Sequence, residues 1–444
     1  MKIITLLQHY FSTKRNHKRF KSREEMKAYQ DRAVESLLKS LPSTNYYFEY
    51  NKIINGEGSN YDWRKFPVVD KSFLMDNFDK LNTAGITKEQ AFSIAFKAEE
   101  TRDFSPTIND ITIGLSSGTS GNRGIFLVSP EERVKWAGTV LAKLLPSSLF
   151  HKQRIAFFLR ANSNLYESTN GGRISFSFFD LLEETKILVE KLQAIQPTIV
   201  VAPPSMLRIL AEAQESGNLH IRPLKLISVA EVLEPLDKKY IETVFSLELH
   251  QVYQCTEGFL GSTCKHGTLH LNEDLVVIEK EFLDDEKRKF SPIITDFSRY
   301  AQPIIRYRLN DVLTLKEKPC PCGSVFTAVE QIEGRCDDIF YFPQENGSGV
   351  KPVFPDFIRR IIMTSSEYIT EYRVIQHSPI HLEIKLKTQN YMDVEEVVRK
   401  QFESFLSEIG CETPDLTFTE YSSVAKGTKL KRIEQKWNYG SILP

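Results

Sequence analysis

Apolar residues recur every three or four positions through residues 24–41. They place Met26, Ala33, Val34, Leu37 and Leu38 along one side before Pro42, and this spacing predicts a helix. Further helices are predicted over 71–81 and 88–100. From Ile111 the pattern changes to short apolar runs between helical stretches. Strands are expected at 111–115, 125–128, 154–159, 198–201, 224–229 and 248–253, with helices at 130–145, 180–195 and 205–216. Such alternation predicts an α/β fold with substantially parallel sheets. Residues 269–280 and 290–295 read instead as antiparallel strands, and a boundary is expected near 334–338. Beyond it, 354–364 reads as a helix, 371–376 and 381–387 as paired strands, 394–409 as an amphipathic helix and 416–420 as a strand before a basic tail. The expected organisation is a large N-terminal domain, 1–334, of mixed sheets flanked by helices, followed by a small mobile C-terminal α+β domain, 335–444.

Composition adds constraints. A chain of 444 residues exceeds what one hydrophobic core usually covers, which supports two domains. The 57 basic and 58 acidic residues nearly cancel, so nothing points to a nucleic-acid partner. The basic run over 14–21 is followed at once by Glu24 and Glu25 and reads as a solvated helix face. The first seven residues are apolar, but His9, Lys14 and Arg15 prevent a signal-peptide core, and runs such as 195–202 fall far short of a membrane span. A cytoplasmic protein with no membrane association is therefore expected. Six cysteines are too few for a disulfide scaffold; in a reducing compartment, close cysteine pairs more often bind metal.

Chemistry enters at Leu115-Ser116-Ser117-Gly118-Thr119-Ser120-Gly121-Asn122-Arg123-Gly124, between two predicted strands. Three glycines and four hydroxyl side chains make a loop whose N–H groups can converge on an anion, with Arg123 supplying positive charge. It is not a Walker loop, because no Gly-Lys-Ser/Thr end leads into a helix. A flexible Ser/Gly hairpin has the same composition, so the loop takes its meaning from the rest of the chain.

Several segments, in order, resemble the acyl-adenylate-forming superfamily, in particular its phenylacetate–CoA ligase branch and the related deazaflavin-adenylating ligases. The resemblance runs from Phe66 to the C-terminus. It implies that Ser116, Ser117, Gly118, Thr119, Ser120 and Gly121 meet the β- and γ-phosphates of ATP. In Tyr253-Gln254-Cys255-Thr256-Glu257, it implies that Tyr253 packs on adenine, with Gln254 beside it, that Thr256 touches phosphate and that Glu257 binds Mg²⁺. In Tyr307-Arg308-Leu309-Asn310-Asp311, Asp311 would accept hydrogen bonds from the ribose hydroxyls. In Gly334-Arg335-Cys336-Asp337-Asp338, Arg335 would reach the nucleotide and Asp337 would be the pivot between domains. Near the C-terminus the family carries a lysine, for which Lys429 is the best match; the inserted Thr428 leaves Lys426 and Lys431 open. Ala230 and Glu231 match a small-residue–acidic turn flanking the adenine, although Glu231 could equally cap the helix beginning near Pro235.

The expected reaction is ATP-dependent activation of a carboxylic acid as acyl-AMP. Attack on the α-phosphate builds negative charge that a metal, Arg335 and Lys429 can stabilise, and a carboxylate needs no general base. Coenzyme A is the default acceptor by resemblance; a carrier-protein thiol, an amine, or direct AMP transfer to a hydroxyl are the alternatives. A non-catalytic nucleotide- or zinc-binding interaction protein is a further reading, disfavoured because Glu257, Asp311, Arg335 and a tail lysine are all present. Oligomeric state is left open, a homodimer being one option.

Two short ligand pairs, Cys264-Lys265-His266 and Cys320-Pro321-Cys322-Gly323, suit a tetrahedral structural Zn²⁺, and Gly323 permits a tight turn. Relatives in the branch can carry Cys/His pairs here. His270 competes with His266, although Leu269-His270-Leu271 reads as a strand in which a packed histidine is expected. Cys255, Cys336 and Cys411 read as small buried side chains. Residues 157–166 and 173–180 are rich in aromatics and lie where the superfamily lines its acid pocket, which suits a flat, apolar acid; alternating phenylalanines in a strand are also ordinary core. Arg160 and Arg173 could face a substrate carboxylate or an internal acid.

Overall fold

The computed structural model describes the chain except residues 1, 17–18, 56–61, 117–122, 161–172, 367, 389–390, 423–428 and 438–444. It divides into two compact units. The first comprises Met1–Ala230, Tyr240–Leu309 and Thr314–Gln331; the second comprises Glu231–Lys239, Asn310–Leu313 and Ile332–Pro444.

The first unit contains the expected parallel sheet. Strand Gln153–Leu159 lies between Ile174–Asp180 and Ile199–Ala202, and Lys225–Ser228 and Leu249–Cys255 follow on the same side. Ile199–Ala202 and Lys225–Ser228 are buried at every position, as strands covered on both faces must be. Helices Thr185–Ile195 and Pro204–Glu215 supply crossovers, turning Leu188, Leu192, Met206, Leu207 and Leu210 inward. Strand order reverses between Gln153–Leu159 and Ile199–Ala202, the place at which open α/β sheets commonly bind ligands beyond the carboxyl ends of their strands. Leu249–Cys255 then turns into antiparallel strands Gly258–Thr263 and Leu269–Leu271.

In the first unit, three elements differ from the sequence expectation. The helix expected from residue 180 begins at Thr185, because Ile174–Asp180 pairs along its whole length with Gln153–Leu159. Phe158 and Phe179 stack there at 4.4 Å and Phe157 meets Phe176 at 5.4 Å, so cross-strand packing overrides the helical pattern. The helix expected over 71–81 is two short ones, Lys71–Asp76 and Phe78–Leu81. Between them the Asn77 amide donates to the Phe73 carbonyl at 3.0 Å, a local bond that competes with the helix. The strand expected over 269–280 breaks into Leu269–Leu271 and Val276–Phe282 at a buried polar turn. There Asn272 donates to the Phe259 carbonyl and Glu273 receives Arg23 at 2.6 and 2.9 Å. The apolar start of the chain forms helix Lys2–Asn16, against helix Pro130–Leu144; a methyl added at Gly138 would lie 2.6 Å from the Leu6 carbonyl oxygen.

The second unit is an α+β module. Its four-stranded sheet runs Asp415–Glu420, His381–Thr388, Ile369–Ser378, Ile433–Gln435, with helices Pro355–Ser365 and Tyr391–Glu408. Tyr372, Val374, Leu382, Ile384, Ile358, Ile362, Val398 and Phe402 form its core. The stretch expected as a basic tail supplies an edge strand, parallel to Ile369–Ser378. Buried charge completes the unit. Arg359 donates to both Glu234 and Glu333, the latter at 2.9 Å, and Arg432 grips Asp237 with contacts of 2.7 Å. These pairs hold Glu231–Lys239 in the module although that segment lies a hundred residues upstream of its main body. No helix among the described residues is long and apolar enough to cross a membrane.

Candidate active site

In the first unit, the ends of the Ser/Gly loop are closed by the Ser116 N–H to the Gly124 carbonyl at 2.8 Å and the Gly124 N–H to Ser116 Oγ at 2.7 Å. Ser117, Gly118, Thr119, Ser120 and Gly121 lie outside the described residues. Arg123, expected to lend positive charge to an anion, is instead engaged by Glu99 at 2.6 and 2.5 Å and by the Ser116 carbonyl at 3.2 Å. The cation whose Nζ reaches the loop neck is Lys71, 3.3 Å from Ser116 Oγ.

Glu257 follows strand Leu249–Cys255, and both its oxygens are held: Thr256 donates to Oε2 at 2.8 Å and Tyr307 to Oε1 at 3.0 Å. Burial first, and then the facing Glu257, raise the Tyr307 pKa, so the phenol stays protonated as a donor. Tyr253 is buried earlier in the same strand, with Gln254 beside it. Arg299 joins this turn to the loop, donating to the Thr256 carbonyl at 2.6 Å and to the Leu127 carbonyl, on the strand leaving the loop, at 2.9 Å. Gln302 ties the same strand at Ile125 and Leu127. Behind Gly258 sits Asp296, whose carboxyl burial pushes up to about 6 despite hydrogen bonds from Ser298 and the charge of Arg299. Ala230 has φ +67°, a left-handed conformation that costs a residue bearing Cβ about 1–3 kcal/mol and tends to occur at functional sites.

The second unit gathers the other candidates through their chain neighbours. Asn310, beside Asp311, donates its amide to Asp337 at 2.5 Å and accepts the Cys336 N–H, next to Arg335, at 3.1 Å. Lys431 pairs with Asp338 at 2.9 Å; burial raises that carboxyl and the lysine's charge pulls it back down. Glu231 accepts the Leu430 N–H at 3.4 Å, next to the half-buried Lys429. Of the three tail lysines, Lys431 is thus committed to Asp338 and Lys426 lies outside the described residues.

A separate cluster in the first unit brings Cys264, His270, Cys320 and Cys322 together, their ligand atoms all within 4.8 Å of one another. Of the two histidines weighed for this site, it is His270 that lies in the cluster. His266 is exposed and meets the cluster through its backbone N–H, 3.3 Å from Cys264 Sγ, while strand Leu269–Leu271 buries the His270 ring. His270 Nδ1 donates to the Phe326 carbonyl at 3.1 Å, which leaves Nε2 facing the sulfurs, 3.3 Å from Cys322 Sγ. Cys264 and Cys320 sulfurs lie 3.7 Å apart, near the roughly 3.8 Å separation of two thiolates on one tetrahedral Zn²⁺. Burial opposes ionisation of Cys320, yet hydrogen bonds from Thr268, the Cys322 backbone and His270 hold its thiol at about 6.

Lys71, Tyr307 and Arg299 are absent from the residues singled out by sequence. Tyr307 stands inside a recognised segment, but its partner Glu257 is fifty residues away, and Lys71 and Arg299 carry no local signal.

No family model matches the chain. Among curated proteins it is similar to an indoleacetate–lysine synthetase of Pseudomonas savastanoi, 28% identical over 239 residues, which is 50% of this chain and 58% of that protein. It is also similar to a phenylacetate–coenzyme A ligase of Thermus thermophilus, 20% identical over 242 residues and 51% of each chain. The matched region thus spans little more than half the length of these relatives. Among solved structures, 2-hydroxyisobutyryl-CoA ligase in the postadenylation state with 2-HIB-AMP matches with TM-score 0.68 and 15% identity, over 95% of this chain and 91% of that one. Fatty acyl-adenylate ligases from E. coli and L. pneumophila match with TM-score 0.51 and 11% identity, over 73% of this chain and 68% of the other. The fold is that of adenylate-forming ligases. The curated relatives, an acid–amine and an acid–thiol ligase by name, are similar to this chain over about half its length.

Proposed function

We propose that the protein activates a carboxylic acid with ATP and passes the acyl group to a thiol such as coenzyme A. A carboxylate oxygen attacks the α-phosphorus, the bond to the bridging oxygen breaks and pyrophosphate leaves; a thiolate then attacks the acyl carbon and AMP leaves. One observation carries this reading: Glu257 is fixed on both oxygens by Thr256 and Tyr307, and Arg299 ties that turn to the strand leaving the Ser116 loop. A carboxylate so fixed beside a hydroxyl-rich loop suits Mg²⁺, which would neutralise phosphate charge when bound. In this reading Ser116 and its loop hold the β- and γ-phosphates, Tyr253 and Gln254 with Ala230 and Glu231 flank the adenine, and Asp311 takes the ribose. Arg335 and Lys429 stabilise charge on the α-phosphate, and Asp337 is the pivot of the small domain.

Both curated relatives are named for arylacetic acids, which supports an aromatic acid here. The name of the Pseudomonas relative also supports a second reading, in which an amine such as lysine takes the acyl group. Pyrophosphate release across a panel of aryl acids, with neither acceptor, with coenzyme A and with lysine, tests all of this. Acid-dependent release is expected, with a thioester as product. An amide product would move the acceptor to an amine, and no acid-dependent release would reject adenylation.

The thiol–imidazole cluster is proposed as a structural zinc site with ligands Cys264, His270, Cys320 and Cys322. Protein purified without added zinc is expected to carry one equivalent of metal, kept in His266→Ala and lost in His270→Ala and in the Cys320→Ser, Cys322→Ser double variant. A metal-free wild type would reject the site.

A further inference from the structure

We propose that the outward face of the first helix docks onto an anionic lipid surface. Helix Lys2–Asn16 packs closely against helix Pro130–Leu144: a methyl at Gly138 would meet the Leu6 carbonyl oxygen at 2.6 Å and the Tyr10 nitrogen at 3.2 Å. That contact fixes the rotation of the helix. Tyr10, Thr13 and Asn16 are turned inward and buried, with Thr13 Oγ1 3.5 Å from Thr139 Oγ1. Ile4, Leu7 and Phe11, spaced by three and four, then share the opposite face. Ile3 is 74% exposed, Ile4 62% and Phe11 54%, with Leu7 half-buried among them. Packing thus inverts the usual arrangement, because a threonine and an asparagine face the protein while isoleucines and a phenylalanine face water. Phe150 is exposed as well, and it follows Leu149, whose backbone hydrogen-bonds the Tyr10 hydroxyl. Contiguous apolar surface of this kind marks a place that something covers.

The charge around the face selects the occupant. No aspartate or glutamate precedes Glu24, although the chain as a whole is close to neutral. Arg15 is exposed one turn beyond Phe11, and Lys14 is exposed beside it with Nζ 5.8 Å from the centre of the Tyr10 ring. Glu131, the acid that His9 meets from helix Pro130–Leu144, is paired with Lys135 at 2.8 Å and leaves the cationic excess in place. An apolar stripe ending in exposed cations matches a bilayer surface: the side chains enter the acyl boundary while the cations meet lipid phosphates. Binding of this kind needs no spanning helix. A second copy of the chain is the rival occupant. Pairing two such helices, in either direction, would set like charges together with no acid in the segment to answer them.

Sedimentation of the full-length protein with vesicles of phosphatidylcholine, alone or mixed equally with phosphatidylglycerol, tests this without any nucleotide. Wild type is expected to bind the mixed vesicles, to leave the neutral ones largely unbound and to be released as salt rises. The Ile4→Ser, Phe11→Ser double variant should bind mixed vesicles roughly 10- to 100-fold more weakly, because the apolar area that enters the bilayer is gone. Arg15→Glu keeps that area and should weaken binding to mixed vesicles roughly 10-fold. Thermal melting checks that both variants are folded. A wild type that ignores mixed vesicles would overturn the proposal, as would equal binding to both vesicle types or unchanged binding in the double variant. Light scattering reads the rival: a wild-type dimer that the double variant splits, with vesicles unbound, would give the face to a second copy instead.

Discussion

Lys429→Ala is expected to lower acyl-AMP formation by roughly 10²- to 10³-fold, the cost of removing one preorganised donor from a transition state that gathers negative charge. ATP affinity should fall far less, because the loop and Glu257 belong to the other unit and are untouched. Lys429 is the lysine proposed for this role, and its described neighbours are both engaged. Lys431 is held by Asp338, and the Leu430 N–H by Glu231, so the backbone just after Lys429 is tied to two other segments of the second unit. Pyrophosphate release at saturating ATP and acid, paired with ATP calorimetry, separates the two effects. Near wild-type acyl-AMP formation in Lys429→Ala would remove the role; a collapse of ATP binding to match would make the lysine structural.

Arg359→Ala is expected to destabilise the second unit by about 3–5 kcal/mol, because truncation leaves Glu234 and Glu333 buried with their shared cation gone. The arginine is 4% exposed, and burial has already been offset there by two carboxylates. Lys387→Ala, which removes an exposed partner of Glu371, should cost less than about 1 kcal/mol and serves as the control. Hydrogen exchange of the hairpin Ile369–Ser378 and His381–Thr388 reads the difference, with amide exchange faster by roughly 10²- to 10⁴-fold in the arginine variant. Equal protection in the two variants would show that the buried ion cluster contributes nothing. Exchange confined to 231–239 would mean that it secures only that segment.

How legible these features are in sequence depends on how far apart their parts lie. The parallel strands are legible because each is a short apolar run bounded by helix or turn signals, and Ile199–Ala202 and Lys225–Ser228 are buried throughout. Asp180 misleads because a helix start and a strand end look alike until Phe179 is seen stacked on Phe158. The buried turn at Asn272 misleads for the same reason: its polar side chains are satisfied by Arg23 and by the Phe259 backbone, neither of which is near in sequence. In the thiol–imidazole cluster, the Cys-x-His spacing suggests His266, yet it is the pleat of the strand after it that brings His270 inward.

The sequence by itself determines what contiguous chemistry can encode: the α/β class, the hydroxyl–glycine loop at Ser116, the Thr256–Glu257 turn, the Gly-Arg-x-Asp-Asp segment at Gly334 and the lysine-rich C-terminal stretch. Their local order suffices because each motif carries its own turn geometry and donor set. Tertiary structure alone decides who shares charge with whom. It commits Arg123 to Glu99 and brings Lys71 to the loop, fixes Glu257 through Tyr307, joins His270 to three cysteines and secures 231–239 with Arg359 and Arg432. Those pairings depend on distances across the fold, where a buried charge is stable only beside a partner supplied by another element.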